Sequence, residues 1–147
     1  MKALILKLFL FGLAGMFCFE SSGQSIVGKW KTIDDESGEP RSVVEIYKKG
    51  DTYFGKVIQI FSKPDEDPDP ICDVCEDDRK DQKVIGMEII RDMEFDAKSN
   101  EYEEGTILDP ENGNIYDCKI WIEGGNLKLR GYLYFLYRTQ TWLPFHD

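Results

Sequence analysis

The sequence predicts an all-β fold: a closed, up-and-down antiparallel barrel of about eight short strands. Three observations carry this. Runs rich in Val, Ile, Tyr, Phe and Trp recur between clusters of Gly, Pro, Asn and Asp, with no helical period after residue 23. Several runs alternate: Tyr116, Cys118, Ile120 and Ile122 share one face, and Asp117, Lys119, Trp121 and Glu123 the other, as in an antiparallel sheet with one buried side. All 6 prolines fall outside the strand cores, where a missing ladder donor is tolerated. An open sheet with tight links would leave two raw edges, and closure removes them. A sandwich is the alternative, but hairpin-by-hairpin spacing leaves little room for its crossing connections.

Taken in order, the first element is not part of the fold. Met1, Lys2 and Lys7 precede an uncharged, mostly apolar run at 8–19, followed by the small residues Ser21, Ser22 and Gly23. This is the pattern of a secretory signal peptide over 1–23. The run is short of the roughly 20 residues a membrane span needs. Removal after Gly23 would leave a single barrel domain, 24–147, exported to a periplasmic or extracellular space and without a transmembrane segment.

Strands are expected near 26–34, 42–49, 52–61, 84–91, 102–109, 114–122, 126–135 and 138–143. Turn chemistry separates them. Asp35-Glu36-Ser37-Gly38-Glu39-Pro40 breaks the first pair and Lys49-Gly50-Asp51 makes a hairpin. Asp109-Pro110-Glu111-Asn112-Gly113 places Pro early and Asn-Gly late, where positive φ is tolerated. Gly124-Gly125-Asn126 closes another hairpin.

The exception is the acidic stretch 62–82, which is long for a connection inside a compact domain and holds Cys72-Asp73-Val74-Cys75. In an oxidising compartment Cys72 and Cys75 are expected to form a disulfide. A redox pair would want cations or a helix N-terminus beside the thiol, whereas Asp73, Glu76, Asp77 and Asp78 crowd this one. A zinc site would need Cys118 and His146 as well, and no metal ligands are assigned. Asp65, Asp67, Asp69, Asp73 and Glu76 match ligand positions of a calcium loop, but Pro70 stands where that loop needs Gly. The stretch is expected to lie outside the barrel and add under about 1 kcal/mol of stability, because the bridge closes so small a loop. Cys118, on an apolar face, reads as a buried, inert thiol.

Gly28-Lys29-Trp30 opens the first strand, where Gly permits a sharp entry and Trp can plug a small barrel. It resembles the Gly-x-Trp motif of lipocalins and related calycin barrels. That resemblance implies an Arg near the last strand packed over the Trp ring, a role Arg138 matches. A wider pattern runs in order: Ser42-Val43-Val44-Glu45-Ile46-Tyr47, Cys72-x-x-Cys75, Val84-Ile85-Gly86-Met87, Gly105 through Gly113, Leu129-Arg130-Gly131-Tyr132 and Arg138-Thr139-Gln140-Thr141-Trp142. Across residues 26–142 this looks like the exported bacterial family called domain of unknown function 2147. The resemblance implies a lipocalin-like barrel and carries no known activity or catalytic residue.

With Lys+Arg 18 against Asp+Glu 28, a net charge of −10 argues against nucleic acid, whose phosphates need a basic face. The sole histidine, His146, sits at the tail, which disfavours a Ser-His or Cys-His nucleophile. No phosphate loop or dinucleotide fingerprint is present, no cofactor is implied, and an enzyme is not expected. Two functions remain. In the first, the barrel binds a small apolar or amphipathic molecule between Ile46, Ile58, Tyr116, Ile120 and Leu129, with Trp30 closing the far end. In the second, side chains fill the barrel, and the acidic stretch with aromatics such as Tyr132 and Trp121 contacts an envelope protein.

Overall fold

The computed structural model describes residues 23–147. All of the expected signal peptide except Gly23 lies outside them. The alternating runs are realised as β1 (Gly28–Ile33), β2 (Pro40–Lys49), β3 (Thr52–Ile60), β4 (Glu88–Asp96), β5 (Glu101–Leu108), β6 (Ile115–Glu123), β7 (Asn126–Leu133) and β8 (Leu136–Pro144). Each pairs antiparallel with its sequence neighbour, and β8 returns to β1 through Trp30↔Pro144 and Lys31↔Leu143. The sheet is therefore a closed eight-stranded barrel without a free edge.

Two boundaries differ from expectation. The fourth strand runs from Glu88 to Asp96 rather than over 84–91. Asp92, Glu94 and Asp96 disguise its second half, because acidic residues are poor strand formers. Pairing of Phe95 with Tyr102, whose rings pack at 5.0 Å, outweighs that preference even with Glu94 opposite Glu103. The seventh strand stops at Leu133, since Tyr134 and Phe135 form a two-residue turn under the Leu133↔Leu136 pair. Tyr134 holds φ 55°, a conformation that turns usually assign to Gly or Asn, so its sequence gave no turn signal.

An up-and-down barrel sends alternate connections to opposite ends. At one end lie the tight turns after β2, β4 and β6, and the chain entering β1. Here Ile26 is fully buried, and the Trp30 indole Nε1 donates to the Ile26 carbonyl at 2.8 Å. Tyr53 and Tyr102 meet edge to face at 4.8 Å, and Met93 is completely enclosed. Gly105 makes this packing possible: a Cβ there would stand 2.4 Å from both the Arg91 carbonyl oxygen and the Met93 sulfur. This end is closed.

The other end carries the connections after β1, β3, β5 and β7. The β3–β4 connection spans residues 61–87 and contradicts the expectation of a solvated loop outside the barrel. It pinches together through an Ile71↔Lys83 bridge, with Cys72 N donating to Gln82 O at 2.9 Å and Val84 N to Pro70 O at 2.9 Å. Cys72 and Cys75 are disulfide-bonded and only 0% and 1% exposed. With Val84 and Met87 they join the main hydrophobic core. Arginines hold three of the acidic residues of this stretch, Glu66, Asp77 and Asp78. Arg79, 4% exposed, donates to both carboxylate oxygens of Asp77 and to the Glu88 carbonyl. Arg91 grips Asp78 with two bonds of 2.8 and 2.9 Å. The stretch is a cap built onto the barrel.

Candidate functional site

At the capped end lies an open cavity of about 1030 Å³ that runs from inward strand positions out over the rim loops. Its apolar wall comes from inward positions along the strands. At their mouth-side ends Ile89 and Leu108 are buried, Val57 and Leu129 lie mid-strand, Trp142 lies deeper toward the closed end, and Val84 reaches in from the cap. Near the mouth stand Ile33, Ile60 and Ile107, with Leu133, Leu136 and Tyr137 from the β7–β8 hairpin. A smaller cleft of about 360 Å³ lies between Val74–Asp77 of the cap and Asn112–Ile115.

Of the expected lining residues, Tyr116 and Leu129 stand on this wall. Ile46 and Ile120 are buried in the packed core, at 1% and 0% exposure, and are not among the residues bordering the cavity. Ile58 is also absent from the border. The register explains it: Val43 faces Gln59 and Val44 faces Val57, so Ile58 is the extra residue of a β-bulge. The bulge offsets the strict alternation assumed from sequence, and Val57 and Ile60 line the cavity instead. Trp30 is buried at the closed end, and Arg138 does not lie over it. Arg138 sits near the start of β8, six residues before the Pro144 that pairs with Trp30, and its guanidinium pairs with Asp35 at the mouth. No cation–π contact involves Trp30 among the described residues. Tyr132 and Trp121 are half-buried, Trp121 beneath Arg130 at 5.2 Å. The fully exposed aromatics are Tyr134 and Phe135, at 93% and 90%.

The mouth is ringed by charge, eight carboxylates against two guanidinium groups. Arg41 donates to Glu66 of the cap at 3.1 Å and to Glu111 of the β5–β6 turn at 2.7 Å, clasping three elements together. The Glu111 and Glu66 hydrogen bonds raise the Arg41 pKa further. Arg138 is spent on Asp35. Asp34 caps its own turn through Ser37, and this hydrogen bonding keeps its carboxyl below the usual range. Glu66 is lowered by the Lys63 backbone amide and then by Arg41. Asp109 accepts from Glu111 N and Asn112 Nδ2, and Asp67 from Asp69 N. Glu36 and Asp73 have no side-chain partner among the described residues.

His146 is exposed at the tail, away from the cavity. Burial pushes the Cys118 thiol up to about 12, and its Sγ lies 3.5 Å from the Met93 sulfur. Among the described residues, no three His, Cys, Asp or Glu side chains are grouped to hold a metal ion. No described helix is long and apolar enough to cross a membrane.

Eight antiparallel strands closed around one open end and one packed end define a lipocalin-like barrel. A Helicobacter pylori protein, HP1028, described as belonging to the lipocalin family, superposes with a TM-score of 0.68, covering 84% of each chain at 15% identity. At that identity the likeness is one of fold. Residues 28–143 match the family of uncharacterised proteins conserved in bacteria called DUF2147, and the chain belongs to that family. No curated protein matches it significantly in sequence.

Proposed function

We propose that this protein is an exported, non-catalytic barrel that holds a small apolar or amphipathic molecule in its open half. The cavity carries the reading. About 1030 Å³ with a floor of Val57, Leu108, Leu129 and Trp142 is the size and lining expected of a site for a drug-sized molecule. Burying an apolar ligand there gains roughly 25 cal/mol per Å² removed from water. Export is supported by the leader-like residues 1–23 and by the Cys72–Cys75 disulfide, which suits an oxidising compartment.

The test is uptake of a neutral apolar fluorophore, N-phenyl-1-naphthylamine, by purified protein. Saturable one-to-one enhancement, abolished in Ile107→Trp with the unfolding transition retained, is the expected result. No uptake, together with no small molecule in an organic extract of native protein, overturns the reading.

A second reading, an envelope-associated interaction module, is favoured by the β7–β8 hairpin. Its tip presents Tyr134 and Phe135 to solvent, and aromatics are enriched at binding hot spots. A photo-cross-linking residue placed at Phe135 would be expected to capture one discrete periplasmic partner. Only diffuse products would count against it.

A further inference from the structure

We infer that the cavity selects amphiphiles whose head group is a cation, such as an alkyl amine or ammonium. This rests on the cavity-binding reading above and names the chemical class it would take. The apolar floor is indifferent to charge, so the head group is sorted where it must sit, at the mouth. Neither guanidinium bordering the cavity is free to balance an anionic head group: Arg41 is shared between Glu66 and Glu111, and Arg138 is paired with Asp35.

The excess is negative. Glu36 from the β1–β2 loop and Asp73 from the cap border the same cavity, and among the described residues neither carboxylate has a side-chain partner, although Lys80 Nζ donates to the Asp73 backbone carbonyl. They come from two different connections, and each adds negative charge to the rim. Asp34 and Glu66 have lowered pKa values and remain ionised at neutral pH, which adds to the field. A mouth lined by one sign of charge over a low-dielectric floor concentrates that field. An ammonium head is attracted along the same path on which a carboxylate head is repelled.

The experiment is displacement of bound N-phenyl-1-naphthylamine by dodecylamine hydrochloride, 1-dodecanol and sodium dodecanoate. All are held below micelle formation at pH 7.5 in low salt. Dodecylamine is expected to bind about tenfold or more tighter than dodecanoate, a difference of ~1.4 kcal/mol. The gap should narrow at 0.5 M salt, as screening requires. In the double variant Glu36→Gln, Asp73→Asn the gap between dodecylamine and dodecanol should shrink at least threefold. Dodecanoate binding as well as or better than dodecylamine overturns the inference while leaving the cavity reading intact. A probe that never binds overturns the cavity reading itself. A gap unaltered in the double variant shows that these two carboxylates do not set the choice, and so removes the mechanism.

Discussion

The two ends of the barrel are built from the same strands and reach opposite outcomes. At the closed end, turns are short and large side chains point inward: Trp30, Tyr53, Met93 and Tyr102 fill the space, with Ile26 laid across them. Gly105 lets the Arg91–Met93 backbone and the Met93 side chain approach where a Cβ would clash. At the open end, the inward residues are mostly aliphatic, and one long connection, 61–87, is built onto the rim. The cap over 61–87 packs its cysteines inward, and Arg41 and Arg138 tie parts of the rim. A barrel too small to be hollow throughout can be hollow at one end when packing at the other supplies the stability.

That division predicts where damage is greatest. Trp30→Ala should cost about 3–5 kcal/mol, the range for removing a buried aromatic, read as a lowered denaturation midpoint with an unchanged m-value. A loss under about 1 kcal/mol would mean that the closed end does not carry stability.

The cap comes next. Because both sulfurs are buried in the core, a larger loss is expected than the small closed loop alone would give. Cys72→Ser with Cys75→Ser should cost about 2–4 kcal/mol, combining loss of the cross-link with two buried hydroxyls. It should also loosen the cavity roof, seen as faster hydrogen exchange over 61–87 than over β6. Uniform acceleration in both would show that cap and barrel open as one unit.

A smaller effect follows from pH. The Arg79 hydrogen bonds hold Asp77 down to about 2, so the folded state binds this proton less readily than the unfolded chain. The stabilisation is present above the unfolded value near ~4 and is lost as pH falls from there through about 2. After allowance for screening, Asp77→Asn should remove about 1 kcal/mol at pH 7 and flatten the acid limb below pH ~4. An acid limb as steep as in the native protein would assign the dependence to other carboxylates.

The smallest expected change has the opposite sign. Tyr134 holds positive φ at the hairpin tip beside the mouth while its ring stays in solvent. Tyr134→Asn should stabilise the protein by about 0.5 kcal/mol, since Asn tolerates that conformation better. Destabilisation would show that the exposed ring makes a contact worth more than the strain.

The barrel was legible in the residues because its signals are local: alternation along β6 and β7, turn chemistry at Lys49-Gly50-Asp51 and Gly124-Gly125, and the strand entry at Gly28-Lys29-Trp30. The site was only partly legible. Tyr116 and Leu129 lie on unbroken strands, where period two holds. Ile58 fails because one bulge residue shifts the faces, and a bulge leaves no fixed mark in composition. Arg138 fails because a strand's sequence does not show which end of a barrel receives its basic residue. Tyr134-Phe135 was missed as a turn because neither is a usual turn residue.

The sequence alone determined that this chain forms β-strands joined in order by hairpins. Hydrophobic period and turn preference act over a few residues and need no knowledge of the whole. Tertiary structure decided the rest: that the acidic stretch becomes a cap, that its cysteines enter the core, and that the open end holds a cavity. Each depends on partners far apart in the chain, such as Arg79 with Glu88 and Arg41 with Glu111. Carboxylates that read as mutually repelling in one dimension are ordered in three by the arginines that fold against them.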